Sequence, residues 1–503
     1  MIAFSWMLAF GSGFLSLSEE ILWIRLMGFV YQGVPHAFSL VLGLYLLGIA
    51  LGAALGKRLC ESQTSLVPAA GMVLCLAGLV DLALPFLLQS LAPSDPFIRF
   101  AGICVLLVLS ATIKAVLFPV AHHLGSDAGS RKLGRSLSRV YFLNIAGSTL
   151  GPLLTGFVLL DFVSLEGGLR LIGIACLAMA TVAFAISRPR RAIGSLIACL
   201  LASWFVALDS SEVMSAYAHR PEGGTVRAII SNRHGVIHTV DGGKSGDVVY
   251  GGNVYDGRVN IDLATNSNRI DRAYLLAALH PEPKRILMIG LSSGAWLRVL
   301  SATPTVQHID VVEINPGYLD LIGSYPAFAP MLNDSRIRIH IDDGRRWLKR
   351  FDGEKYDLIV MNTTFHWRAN ITNLLSHQFM TLAASHLARD GIMAFNATGS
   401  GEALMTAASA FGHAYQWSNF VYAGHRDFRT VRGEAADRLA GLRLDGVSLL
   451  NPEQERDRKA IERLLEQKFV SLETAAQQAG RVLEVIYDET MPTEFKYGRG
   501  LEF

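Results

Sequence analysis

The 503-residue chain has no cysteine after Cys199, and its five cysteines, Cys60, Cys75, Cys104, Cys176 and Cys199, are never spaced as C-x-x-C. That spacing excludes the usual thiol metal site and dithiol redox centre, and no metal is expected. A G-x-x-x-x-G-K-[ST] loop is also missing, which argues against ATP held by a P-loop. Nor is there a basic excess. The formal net charge is +2, with 13 Lys/Arg and 9 Asp/Glu in residues 1–210 and 32 and 34 in the remainder. Neither half has the charge of a nucleic-acid binder, so nucleic acid is not an expected partner. The cysteines lie among long apolar runs and read as small buried hydrophobes. They mark a division near Asp209–Ser211, between an apolar front half and a water-compatible back half.

A membrane-spanning helix needs about 20 mostly apolar residues. Runs of that kind predict spans near 3–30, 37–58, 66–90, 98–122, 139–160, 168–187 and 192–208, about seven in all. The first is not a cleavable signal peptide, because it lacks a basic start and runs through Glu19 and Glu20 into more apolar sequence. Gly43, Gly48, Gly52 and Gly56, and then Gly147, Gly151 and Gly156, sit four or five apart, a pattern that lets helices approach closely. Ionisable residues inside spans face a protein interior or a water-filled cavity. Glu19, Glu20, Arg25, Lys114 and His122, with His123 beside it, are therefore candidates for a polar membrane site or an internal clamp.

Lys57, Arg58, Arg131, Lys132, Arg135, Arg139, Arg188, Arg190 and Arg191 flank alternate loops, whereas the opposite loops carry Arg99 and Arg170. The positive-inside rule then places residues 57–66, 125–138 and 188–191 in the cytoplasm of a bacterial inner membrane. Six spans return the chain to the cytoplasm. The short run Ala192–Leu208 decides on which side the back half lies.

Residues 211–268 read as a small β-strand region, with Asp241-Gly-Gly as a hairpin signal. Residues 269–430 alternate as α/β. A helical stretch Arg269–Leu279 precedes strand Arg285–Ile289, a Gly-Leu-Ser-Ser-Gly loop and helix Ala295–Ser301. Strand His308–Val312 ends in Glu313, Ile337–Ile341 in Asp342-Asp343, and Tyr356–Met361 in Asn362-Thr363-Thr364. Strands separated by helices predict a parallel, Rossmann-like sheet with ligands at the carboxyl ends of its strands. Those ends suit a nucleoside. Gly290 and Gly294 let backbone approach it, with Ser292 and Ser293 between them. Glu313 accepts ribose hydroxyls, and Asp342 or Asp343 accepts an adenine amino hydrogen. Residues 431–503 read as a helical extension and tail, with a charged amphipathic helix over Asn451–Gly480. The tail from Ile486 either closes over the pocket as a lid or caps the sheet.

His280-Pro-Glu-Pro-Lys-Arg-Ile-Leu-Met-Ile-Gly, Val311-Val-Glu-Ile-Asn, Ile341-Asp-Asp-Gly, Tyr356-Asp-Leu-Ile-Val and Leu375-Ser-His-Gln-Phe resemble the spermidine synthase (aminopropyltransferase) family, over roughly residues 225–400. The whole chain resembles bacterial proteins that fuse a multi-helix membrane region to such a domain. The resemblance implies a co-substrate of the S-adenosylmethionine type, native or decarboxylated. It also exposes departures. Ser293 stands where the family has the aspartate that holds the amine of decarboxylated S-adenosylmethionine. Asn362 stands at the catalytic aspartate and Phe365 at a second family aspartate. Asn362 cannot act as a base. Losing all three removes the anionic pocket that favours a polyamine cation, so ordinary putrescine aminopropylation is disfavoured. Ser293 would tolerate the carboxylate of undecarboxylated S-adenosylmethionine, which favours methyl transfer or attack on the amino-carboxypropyl arm.

The expected catalytic groups are Asn362, Thr363 and His366, the last with a pKa near neutrality. Tyr250, Tyr255, Asp256 and Arg368 are expected around the substrate, with Thr364 and Trp367 nearby. The leading expectation is a transferase-like enzyme in contact with the lipid bilayer, its nucleoside domain on the cytoplasmic side; seven spans would instead put that domain outside. The alternative is a transporter or sensor whose catalytically retired domain regulates the helices. The sequence leaves self-association into a homo-oligomer open.

Overall fold

The computed structural model describes residues 2–62, 65–126, 133–206, 211–363, 365–429, 434–466 and 468–502. Arg131, Lys132, Leu208, Asp209 and Thr364 therefore lie outside the described residues. The chain divides into two compact units. The first comprises Met1–Ala218, the turn Ser231–Val236 and Leu501–Phe503; the second comprises His219–Ile230 and Ile237–Gly500.

Long apolar runs build most of the first unit, whose helices are α1 (Ile2–Val30), α2 (Pro35–Glu61), α3 (Leu66–Leu91), α4 (Pro96–Ala115), α5 (Leu117–Gly125), α6 (Leu133–Phe157), α7 (Leu165–Ser187), α8 (Pro189–Val206) and α9 (Glu212–Tyr217). Among the described residues, six helices are long and apolar enough to cross a membrane, α4 and α5 counting as one. The expected seventh run is helical within α8 but is not one of these six. Ser195 of α8 donates to the carbonyl of Leu177 on α7 (3.1 Å).

The unit has a buried apolar core, yet it also exposes many apolar side chains and buries several polar ones. Leu46, Leu47, Leu51, Met72, Leu76, Phe86, Phe142 and Leu153 are exposed, while Ser5, Ser12, Ser18, Glu19, Asp81, Ser110 and Lys114 are buried. An apolar exterior of this extent fits a lipid solvent rather than water. The glycines work as the sequence predicts. A Cβ on Gly147 or Gly151 of α6 would strike the carbonyls of Phe10 and Phe14 on α1. One on Gly48 would lie 2.6 Å from Cβ of Ala111 on α4. Gly43 meets nothing, so it takes no part in this packing.

The second unit opens with most of a four-stranded sheet, β1 (Val226–Asn232), β2 (Gly235–Val240), β3 (Val248–Gly251) and β4 (Val254–Arg258), in order β1-β2-β3-β4 with β2–β3 and β3–β4 antiparallel. Its main sheet contains β5 (Arg285–Ile289), β6 (His308–Glu313), β7 (Ile337–Ile341), β8 (Tyr356–Met361), β9 (Leu387–Asn396), β10 (His413–Trp417) and β11 (Phe420–Gly424), in order β10-β11-β9-β8-β5-β6-β7. The strands from β7 to β9 pair in parallel, and β11 and β10 add antiparallel. The fold is thus an apolar helical region followed by a Rossmann-like α/β domain with a small β region before it. Helices α10 (Asp271–Leu279), α11 (Ala295–Ser301), α12 (Gly317–Gly323), α13 (Gly344–Arg350), α14 (Thr372–Leu375), α15 (His377–His386) and α16 (Gly401–Phe411) connect and flank the sheet. Ile286, Met288, Ile309, Val311, Leu358 and Val360 fill one face. Leu287, Ile289, Ile359, Met361, Met393 and Phe395 fill the other. A strand buried on both faces carries such unbroken apolar runs.

The region 451–480 is not one helix. It forms Glu455–Glu466 and Leu472–Ala479, with Val470 between them paired to Gln416 of β10. That pairing is long-range and overrides the local amphipathic pattern. The tail is pinned as a cap: Ile486 is buried, its carbonyl accepts from His377 N (2.7 Å), and Asp488 holds Arg345 through two 2.7 Å hydrogen bonds. Glu494 accepts the N–H groups of Asn370 and Thr372 (2.9 Å each).

Candidate functional site

The chain runs β5, β6, β7 outward, then returns to place β8 on the other side of β5. Ligands of open α/β sheets bind at such a reversal, beyond the carboxyl ends of the strands. Register brings those ends together: Ile289 lies beside Val312 and Met361, and Glu313 beside Ile341. The N–H of Gly290 donates to the carbonyl of Val312 (2.9 Å), and that of Asp342 to the carbonyl of Glu313 (3.1 Å).

The loop after β5 needs its glycines. Gly290 has φ +86° and Gly294 φ +75°; a Cβ on Gly294 would strike Met331, and one on Gly290 would lie 3.2 Å from the Asn362 carbonyl. Ser292 also holds a positive φ (+52°), and its hydroxyl donates to the carbonyl of Asp256. Gly257 faces the loop, where a Cβ would meet the Ser292 and Ser293 hydroxyls at 2.9 and 3.2 Å.

Glu313 is 3% exposed, and its two carboxylate oxygens accept the N–H groups of Leu291 and Asn315, each at 2.7 Å. Burial pushes its pKa up to about 7 despite those hydrogen bonds. Each oxygen keeps a lone pair for a further donor. Asp343 is the N-cap of α13, accepting Arg346 N–H at 2.7 Å, so it has a structural task. Asp342 is paired with Arg346 and Arg350.

A cavity of about 460 Å³ opens beside Asn362 and Thr363, a size suited to a small-molecule site. Of the expected residues, Tyr255, Asp256, Asn362 and Thr363 line it. Phe365 lines it too, so the position of a family carboxylate presents a ring. Asp256 accepts from the hydroxyl of Tyr318 and has Arg368 near it, while burial raises its pKa. Arg368 donates to the Gly251 carbonyl (3.2 Å), and Tyr250 stacks on His238 at 4.7 Å. Neither is in the cavity lining, nor is His366. His366 Nδ1 lies 2.5 Å from Oγ1 of Thr398, which does line it, and burial lowers the imidazole's pKa.

The sequence did not single out Arg269, Arg272, Trp296, Asn396, Thr398 or Asn419, all of which line the cavity. Asn419 donates to Asn396 (2.9 Å), and Asn396 to the carbonyl of Thr363 (3.1 Å). These groups come from β9 and the β10–β11 turn, far from the motif in sequence. Arg272 alone left a local trace, because a cation in the first turn of a helix opposes the macrodipole.

In the helical unit, Lys114 Nζ lies 2.7 Å from Glu19 and 2.6 Å from Asp81, all three buried. Trp23 Nε1 donates to Glu19 (3.2 Å). Asp81 was absent from the sequence candidates. Arg25 lies apart from this cluster and donates to Ser231 Oγ (2.8 Å) and to the carbonyls of Asn232 (2.6 Å) and Gly235 (2.9 Å). His122 packs on Phe118 (4.5 Å), and Glu20 is buried on α1 with no ion pair to Lys114.

Residues 273–408 match the family model of the spermine/spermidine synthase domain. Two similar curated proteins are polyamine aminopropyltransferases. That of Streptococcus uberis is 34% identical over 119 residues and that of Agathobacter rectalis 38%, in each case 24% of this chain and 41% of the relative. The chain thus spans about two fifths of the length of the curated relatives it matches. A spermidine synthase solved with the transition-state analogue AdoDATO aligns at 16% identity and TM-score 0.35, over 49% of this chain and 85% of its own. Human methyltransferase-like protein 13 with SAH aligns at 19% and 0.27, over 39% and 92%. Residues 273–408 are therefore similar to a spermine/spermidine synthase domain, and they follow an N-terminal region of long apolar helices.

Proposed function

We propose that this protein is a membrane-bound transferase that takes an S-adenosylmethionine-type nucleoside at the carboxyl ends of β5, β6, β7 and β8. The observation that carries this reading is the convergence of the Gly290–Gly294 loop, Glu313, Asp342 and Asn362 on one topological switch point, within the stretch that matches the synthase family model. Glu313 is the ribose acceptor and the glycine loop lies against the ligand backbone.

The group transferred is not an aminopropyl arm delivered to putrescine. That reaction needs carboxylates around a diammonium acceptor, and the cavity offers Asn362, Phe365, Arg269 and Arg272 beside the single carboxylate Asp256. Attack on the methyl or amino-carboxypropyl carbon of a sulfonium forms one new bond and releases the neutral thioether. The acceptor's proton then leaves to a neighbouring base or water. Thr363 and Asn362 orient the acceptor, and His366 acts on the cavity through Thr398. An acceptor held in or near the bilayer accounts for the fusion to membrane helices, with the nucleoside domain on the cytoplasmic side, where this co-substrate is made.

The test is transfer of label from methyl-labelled and from carboxyl-labelled S-adenosylmethionine to membrane extracts by the purified full chain. Labelled product that disappears in Asn362→Ala supports the reading; binding without any transfer sinks the enzymatic part of it. A second reading, a transport or sensing role with a retired domain, is favoured by the buried Glu19–Lys114–Asp81 cluster, and it predicts that latter outcome.

A further inference from the structure

Arg272 is only 8% exposed and lines the cavity beside Asn362. A guanidinium carries five N–H donors and stays charged at any physiological pH. Its Nε has no hydrogen-bond partner among the described residues, and its ion pair with the adjacent Asp271 is long, at 3.9 Å. Its other polar compensation is the Phe420 ring, 5.2 Å from the guanidinium carbon. A buried donor left without an acceptor costs about 1–3 kcal/mol, so a ligand acceptor at this nitrogen is favoured.

The fold gives it no other evident task. Arg272 lies in the first turn of α10, where the helix dipole repels it. Its backbone is fixed independently, by the Tyr422 hydroxyl donating to its carbonyl (2.9 Å). Arg269, exposed and held at φ +48°, lines the same cavity and adds a second positive charge. Against them stands Asp256, already bonded to Tyr318 and paired electrostatically with Arg368.

We propose that Arg272, assisted by Arg269, is an anion receptor that binds a carboxylate of a ligand in the transferase cavity. It rests on the transferase reading of this site and deepens it. A planar guanidinium fork matches a carboxylate through two parallel N–H···O bonds, and a buried site strengthens both. The carboxylate comes either from the amino-acid arm of undecarboxylated S-adenosylmethionine or from the acceptor. In either case the cavity selects a negative partner where a polyamine site would select a positive one.

Calorimetric titration of the full chain in detergent separates these sources. The ligands are S-adenosylhomocysteine, methylthioadenosine (the same nucleoside without a carboxylate) and succinate, the last added both to the free protein and to the methylthioadenosine complex. If the arm supplies the carboxylate, S-adenosylhomocysteine binds at least tenfold tighter than methylthioadenosine in the wild type. That preference vanishes in Arg272→Gln and shrinks in the surface variant Arg269→Gln, while methylthioadenosine affinity stays constant and certifies folding. If the acceptor supplies it, the two nucleosides bind equally, and succinate binds the wild type but neither variant. Ligand affinities that do not change in either variant overturn the receptor. Absence of nucleoside binding to the wild type overturns the transferase reading, whereas succinate binding lost in both variants would still support the receptor.

Discussion

In the proposed site Glu313 is the residue on which nucleoside recognition would turn, and its protonation makes a prediction. Burial raises its pKa from the ordinary 4.5 to about 7. Between those values the folded chain holds a proton that the unfolded chain has released. Its contribution to stability therefore falls as pH rises through that window, and the whole cost is present above about 7. Ribose hydroxyls need the carboxylate as acceptor, so nucleoside affinity should rise about tenfold from pH 6 to pH 8 and then level. Glu313→Gln should bind weakly and show a flat profile; titration at four pH values checks both. Glu313 was legible because a carboxylate closing the second strand after a glycine loop is a local pattern. Arg272 was not singled out, because its meaning comes from Trp296, Asn362 and Asn419 being brought around it by distant parts of the chain.

At the scale of elements, the glycine loop and the helix cluster each carry an expectation. Gly294→Ala combines a left-handed backbone with a clash against Met331. It should destabilise the second unit by about 1–3 kcal/mol, read as a lower unfolding midpoint. Lys114→Met strands Glu19 and Asp81 as buried carboxylates and should cost about 3–5 kcal/mol, seen as lost monodisperse protein in detergent. The triple variant Glu19→Gln/Asp81→Asn/Lys114→Met should recover most of that loss, since it leaves no charge in the cluster; failure to recover would mean the cluster matters for more than charge balance. Strands β5, β7 and β8 were readable to the residue, because an apolar run in β5 and β8 and a strict apolar/polar alternation in β7 each end in polar or glycine residues. The break at Val470 was not, because it depends on pairing with Gln416. Asp81 was overlooked as a lone acid in the apolar run of α3, where only the fold reveals Lys114 as its partner.

The whole molecule joins an apolar helical unit to a Rossmann-like α/β unit. In the proposed reading, six spans return the chain to the side where it began, and the loop charges make that side cytoplasmic. A single cysteine introduced near Ser245 in a cysteine-free background should stay protected from an impermeant thiol reagent in intact cells; labelling would place the domain outside and favour the transport reading. Composition already divided the chain, and loop charge suggested the orientation. The acceptor was not legible, since it depends on a cavity assembled from six separate segments. The most direct test of the central claim is calorimetry on the purified full chain with S-adenosylmethionine, its decarboxylated form and methylthioadenosine. At least one should bind at one site per chain, with binding abolished in Glu313→Ala. No binding of any of the three by the folded wild type, up to millimolar ligand, would contradict it.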